Sequence, residues 1–320
     1  MKFKLLRVLT MKLLTLNLLT CLFAIASFSI GSTLSAIDFT SPIADEALVF
    51  EEIDGVLAIE SEHFYRQSTK EFRAWYITSS KSSIELKPDP DLPHVAGASG
   101  GAYLEILPDT RANHTEKLIQ GENFTDKPGL MAVLSYKVYI NTPGRYYVWI
   151  RSYSTGSEDN GVHVGIDGEW PESGKRWQTV QKQKWAWECK QRTQEVHTGV
   201  PMQLFLDIEK AGDHELMISM REDGFEMDKI VLSRNKEFKP EGKGPAVQVK
   251  SGELPQPFPE VAESVTEAKP MDEGAAKNVT VPVLSLTAKD FLEDAQGYYL
   301  DKGKWLAINP EKNKQAKART

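Results

Sequence analysis

The sequence predicts an all-β chain: a two-sheet antiparallel β-sandwich of jelly-roll type, then a linker and a small C-terminal segment. Three observations predict it. Apolar residues alternate in short runs, as in Leu134, Tyr136, Val138 and Ile140, Leu204, Leu206 and Ile208, and Leu216, Ile218 and Met220. Successive strand side chains point to opposite faces, so each run has one face for a core. Turn signals separate the runs at Asn141-Thr-Pro-Gly144, Asp167-Gly168, Ala211-Gly-Asp213 and Asp223-Gly224. Helical periodicity is almost absent, and short strands punctuated by turns build two packed sheets.

Residues 1–36 read as a secretory signal peptide rather than as fold. Lys2, Lys4, Arg7 and Lys12 give a basic start, Leu13–Ile30 is an apolar run, and Leu34-Ser-Ala36 offers a cleavage site. The expected location is therefore secreted, periplasmic or at the cell surface. Loss of the signal removes four positive charges and moves the formal net charge from −7 to −11. Phosphate backbones select for Lys and Arg, so this acidity argues against nucleic acid as a partner. Cys21 falls in the signal, which leaves Cys189 without an intramolecular partner.

The sandwich is expected over residues 50–236. Arg73–Thr78 reads as a short aromatic strand or loop, and Gly101–Leu107 as a strand. The alternation at 134–140 and 146–150 flanks the Pro-Gly turn as a hairpin. The Asp223-Gly224 turn then delivers a closing strand. Residues 237–283 are dense in Pro, Glu, Gly and Lys and read as a linker with little structure. Residues 284–320 form a small segment, with a hairpin about Asp301-Lys-Gly303 expected to dock through Tyr298, Trp305 and Ile308.

Two acidic oddities stand out. By strand parity Asp228 shares a face with the core residues Ile230 and Leu232, and Glu60 and Glu62 share one with Val56, Ala58 and Phe64. Carboxylates on inward faces are costly unless neutralised. Together they point to an oxygen-rich cation site, the blander account being pairing with Arg or Lys.

Three stretches carry a family likeness: AIESEHF at 58–64, DNGVHVGIDG at 159–168 and REDGFEMDKIVLS at 221–233. They resemble the galactose-binding-like jelly rolls, among them family-6 and family-35 carbohydrate-binding modules and the C-terminal domain of family-115 glycoside hydrolases. The resemblance implies a polysaccharide or oligosaccharide ligand, a partner carbohydrate-active enzyme, and a structural calcium on Glu60, Glu62 and Asp228, which suits calcium's preference for oxygen. It also implies a sugar site in the loops, where aromatic faces meet polar groups. The aromatic candidates are Trp75 and Tyr76, and Trp185 and Trp187. Family-6 modules often place a sugar-contacting Asn where this chain has Glu226, a hydrogen-bond acceptor that suits hydroxyl or amino groups. Asn160 and Arg221 are further polar candidates.

The expected role is thus a non-catalytic carbohydrate-binding module. A glycoside hydrolase or polysaccharide lyase on the same scaffold is the enzyme alternative, and a protein-binding surface scaffold the third. His63, His94, His114, His163, His197 and His214 stand singly, without zinc-type spacing.

Overall fold

The computed structural model describes residues 40–68, 72–81, 88–261, 298–301 and 304–307. In chain order the first strands are β1 Val49–Glu51, β2 Val56–Glu60, β3 Arg66–Gln67, β4 Ala74–Ser79, β5 Ala102–Leu107 and β6 Val133–Ile140. Next come β7 Gly144–Tyr153, β8 Gly161–Ile166, β9 Trp177–Gln178, β10 Ala186–Glu188, β11 Lys190–Gln191 and β12 Val200–Pro201. The last are β13 Phe205–Ile208, β14 Gly212–Met220, β15 Glu226–Ser233, β16 Val249–Ser251, β17 Tyr298–Asp301 and β18 Lys304–Ala307.

Two sheets make the sandwich, as the alternation predicts. The first runs β12-β11-β9-β8-β14-β6-β1-β16, with β3 also on β6. The second runs β10-β7-β15-β5-β4, with β13 also on β7 and β2 also on β15. Pairing is antiparallel except for β1, which lies parallel to β6. Leu134, Tyr136, Val138 and Ile140 are buried opposite Leu57, Ile59, Ile150, Ile230 and Leu232 in one core. The turn at Asn141–Gly144 does not close the expected hairpin: β6 pairs in the first sheet and β7 in the second, so the turn carries the chain across the sandwich, as Asp223-Gly224 does from β14 to β15. Gly224 has φ +68°, and a Cβ there would lie 2.6 Å from the Asp109 carboxyl, so both conformation and space require glycine.

Composition misleads beyond residue 236. The stretch 237–283 reads as a linker, yet through Val261 it is laid along the sandwich. Phe238, Val247, Val249 and Phe258 pack on the core, and β16 pairs with β1. The Phe258 N–H also donates to the Gly100 carbonyl, at 2.8 Å. A few apolar anchors outweigh a polar, Pro-rich average. The remainder of that stretch lies outside the described residues. At the start, order reaches β1 and Thr40, ahead of the boundary expected at residue 50.

The chain divides into two compact units, residues 1–264 and 265–320. In the second, β17 and β18 pair antiparallel, with Asp301 opposite Lys304; the turn residues Lys302 and Gly303 and the docking contact Ile308 lie outside the described residues.

Candidate functional site

Sheet register builds the site on the face of the second sheet turned away from the core. On β7, Tyr146, Val148 and Ile150 face inward, so Tyr147, Trp149, Arg151 and Tyr153 face outward. Pairing then sets two rungs across this outward face. The upper rung is Tyr76–Glu105–Glu226–Tyr153, carried by β4, β5, β15 and β7. The lower rung is Glu60–Lys229–Arg151–Trp187, carried by β2, β15, β7 and β10.

Between the rungs β15 bulges. The register shifts between Met227 and Lys229, leaving Asp228 as the extra residue. Asp228 therefore does not share the face of Ile230 and Leu232, as strand parity predicts, because a bulge breaks the period of two. Its carboxylate reaches the outward face, where Oδ2 accepts from Arg151 Nη1 at 2.7 Å and Oδ1 from the Ser99 N–H at 2.6 Å. Glu60 likewise points outward, since Leu57 and Ile59 take the core face of β2. Its Oε1 accepts from Lys229 Nζ at 2.7 Å and from Ser99 Oγ at 3.0 Å. Glu62 lies beyond the strand in a 3-10 turn, Ser61–His63, and is 1% exposed.

The acids expected as a calcium set are thus brought together, under the loop that ends at Gly101. Gly100 has φ +64°, and a Cβ there would sit 2.6 Å from Glu62 Oε1, so the loop closes on the carboxylates only with glycine. Glu60 Oε2 and Glu62 Oε2 are buried without a hydrogen-bond partner. Two carboxylate oxygens of this cluster are thus unsatisfied, but Lys229 and Arg151 each hold an oxygen of Glu60 and Asp228, and the three carboxylates do not close to within 4.8 Å of one another as Asp91, His94 and Glu226 do. Burial, reinforced by Glu60, pushes Glu62 well above the usual carboxylate range. Burial raises Asp228 to about 7, against the pull of Arg151.

The upper rung is organised differently. Glu105 and Glu226 are 4% and 2% exposed and directly opposed. Burial first, and neighbouring carboxylates second, push both well up; around Glu226 those neighbours are Asp91, Asp159, Asp89 and Asp109. His94 covers the rung. Its Nδ1 lies 2.7 Å from Glu226 Oε1, and its ring stacks on Tyr153 at 3.7 Å and 15°. Trp185 packs edge-on against both Tyr103 and Tyr153. Half-buried Tyr76, Tyr153, His94 and Trp185 thereby frame a floor of buried carboxyl groups.

Some expected ligand residues belong elsewhere. Trp75 is fully buried, donating from Nε1 to the Ala132 carbonyl at 2.7 Å and meeting Phe225 edge-on, so it is core. Its neighbour Tyr76 takes the outward side, as parity requires. Trp185 is a wall, its Nε1 tied to the carbonyls of His94 and Ala96 at 3.0 and 3.1 Å. Trp187 is roofed by the stretch after residue 236, donating to the Gly242 carbonyl at 3.0 Å. Arg221 pairs with Glu222 and lies 4.7 Å over the Phe124 ring, which consumes its charge. Asn160 is buried beside that pair, donating to the Ser157 carbonyl at 2.8 Å, while its N–H donates to Glu222. Neither joins the upper rung.

Sequence reasoning missed Glu105, Asp91 and His94. Asp89-Pro-Asp91-Leu-Pro-His94 reads as a loop, though its two acids and histidine sit close in sequence. Glu105 is hidden in an apolar strand that only register sets against Glu226.

Residues 94–246 match the glycosyl hydrolase family 115 C-terminal domain. Over 303 residues the chain is 43% identical to the protein P23 of Formosa agariphila, a match covering 93% of this chain and 71% of that one. The chain belongs to the P23 family and carries a family 115 C-terminal domain. The stretch matching the family 115 C-terminal domain begins at His94 and includes Glu226 and Asp228, while Glu60 and Glu62 precede it. Among solved structures, the Podospora anserina GH26-CBM35 β-(1,4)-mannanase aligns with 59% of this chain at 12% identity and a TM-score of 0.33. A Paenibacillus xanthan lyase aligns with 61% at 13% identity and a TM-score of 0.31. The chain spans 29% and 14% of those two proteins.

Proposed function

We propose that this chain is an exported, non-catalytic module that binds a polysaccharide on the upper rung, with a structural calcium on the lower one. The observation that carries the reading is the row Tyr76–Glu105–Glu226–Tyr153 with His94 and Trp185 around it. Aromatic faces take the apolar side of a pyranose, and carboxyl groups bond its hydroxyls. The membership of a carbohydrate-active family supports the same reading. A floor of acids disfavours uronic or sulfated chains and favours neutral or amino sugars. Glu60, Glu62 and Asp228 would hold the calcium, whose charge would offset their mutual repulsion and fix the loop at Ser99–Gly101. Retention of the Phe258–Gly100 contact would then depend on the ion.

Glycoside hydrolysis is the second reading, favoured by one observation. Glu105 and Glu226 are carboxyls paired across adjacent strands and pushed up by burial, which suits the neutral acid of a glycosidase, though its partner must ionise.

The test is a binding screen of the full chain against soluble neutral, amino, uronic and sulfated polysaccharides, with reducing ends assayed in the same wells. Retention of neutral or amino polymers without product is the expected result. Product that disappears in Glu226→Gln would establish the second reading instead, and retention confined to anionic polymers would overturn the assignment of the acidic rung. For calcium, chelation should lower Tm in the wild type but not in Asp228→Ala; equal melts with and without chelator would remove the ion from the proposal.

A further inference from the structure

We propose that Asp91, His94 and Glu226 form a binding site for one divalent transition-metal ion of the zinc type. Their ligand atoms lie within 4.8 Å of one another, drawn from two separate stretches of chain. Glu226 opens a central strand and is 2% exposed, and its Oε2 has no hydrogen-bond partner. Its Oε1 meets His94 Nδ1 at 2.7 Å, so Glu226 brings one oxygen to the imidazole and keeps a second, unpartnered one beside it. The donor set is one nitrogen and two oxygens, which suits zinc-type ions better than the all-oxygen lower rung does.

The histidine is held for the task. Its ring is fixed by stacking on Tyr153, its carbonyl by Trp185 Nε1 and its N–H by donation to the Tyr103 hydroxyl at 3.1 Å. Asp91 is oriented by the Thr155 hydroxyl, which donates to its Oδ2. The loop carrying Thr155 is in turn anchored on Asp159, which accepts from the Thr155 N–H at 2.7 Å and Ser154 Oγ at 2.9 Å. Such supporting bonds aim a ligand before the metal arrives. Asp89 and Glu105 stand close to Asp91 on its other side and add negative potential. At the lower rung, by contrast, Lys229 and Arg151 already occupy one oxygen each of Glu60 and Asp228.

The metal site shares Glu226 and His94 with the carbohydrate reading, but its test stands apart from that reading because the probe is the metal alone. The full chain, stripped of metal and kept in excess calcium, is titrated with zinc chloride by calorimetry. One zinc per chain is expected, weakened at least about tenfold in Glu226→Gln and in His94→Gln and unchanged in the surface control His214→Ala. Cobalt in place of zinc should give visible bands that the two site variants lose. Circular dichroism and Tm identify any variant that has not folded, and Asp91→Asn then takes its place. Absence of zinc uptake by the wild type would overturn the site. So would uptake that survives both His94→Gln and Glu226→Gln.

Discussion

On the lower rung of the outward face each paired acid has a fixed cation, Lys229 for Glu60 and Arg151 for Asp228. On the upper rung Glu226 faces another acid, Glu105, and its partner is a histidine. The two rungs sit on the same strands, a bulge apart, and differ in what meets the acid: a fixed cation on the lower one, and on the upper one a histidine whose pKa burial lowers. A lysine or arginine built into the sheet makes a permanent knot that ties loop to strand. A histidine can give way to a ligand or an ion, so its rung is suited to exchange. The difference predicts that substitutions at the first should cost stability, and at the second should cost binding.

Asp228→Ala should sharpen the contrast most. It leaves Arg151 buried without its carboxylate and removes the acceptor of the Ser99 N–H, so a loss of roughly 3–5 kcal/mol is expected in urea unfolding. A loss below about 1 kcal/mol would break the view of the lower rung as a structural knot.

His163, on the outward side of the other sheet, supplies a control for the behaviour of a satisfied buried group. The Arg176 N–H donates to its Nδ1, and its Nε2 lies 3.1 Å from the Thr125 carbonyl oxygen. Burial pushes its pKa down to about 4. The unfolded ring takes up a proton near pH 6.5 while the folded ring does not, so stability falls as pH drops from about 6.5 towards 4. The shift amounts to roughly 3 kcal/mol, fully present above the unfolded pKa. His163→Gln should flatten that slope in unfolding curves taken across the window; parallel slopes would reject the assignment.

The smallest effect is expected at Glu226→Gln. Burial favours the neutral carboxyl there, and an amide matches it in shape, so stability near pH 7 should change by less than about 1 kcal/mol. A loss of several kcal/mol in the same urea assay would show that this rung, too, is a knot, and would erase the comparison.

The inner face of the first sheet is legible in the sequence because nothing interrupts the period of its central strands. Leu134 to Ile140 and Leu216 to Met220 alternate without a break and lie buried as read. The outward face was legible only in its residue types. Glu60, Glu62 and Asp228 stood out as misplaced acids, but the bulge that turns Asp228 outward leaves no mark on parity. Trp75 and Tyr76 were equally aromatic; which one lines the core depends on register with Ile106 and Glu105. His94 and Glu226 are joined by tertiary approach alone, and no spacing rule spans that distance in sequence. Past residue 236, Pro and Glu hid the apolar anchors Phe238, Val247, Val249 and Phe258, which matter more than the average.

The strand β15 carries a consequence for how the chain is made. All eight of its residues are buried, and it is flanked by β2 and β5 on one side and β7 on the other. Those neighbours emerge from the ribosome well before it does. A nascent chain ending at Met220 already holds every strand through β14, yet its second sheet has a slot where the central member belongs and two exposed backbone edges. The second sheet is therefore closed late, by β15, and a chain stalled before Ser233 presents open edges to its neighbours rather than a smaller stable fold.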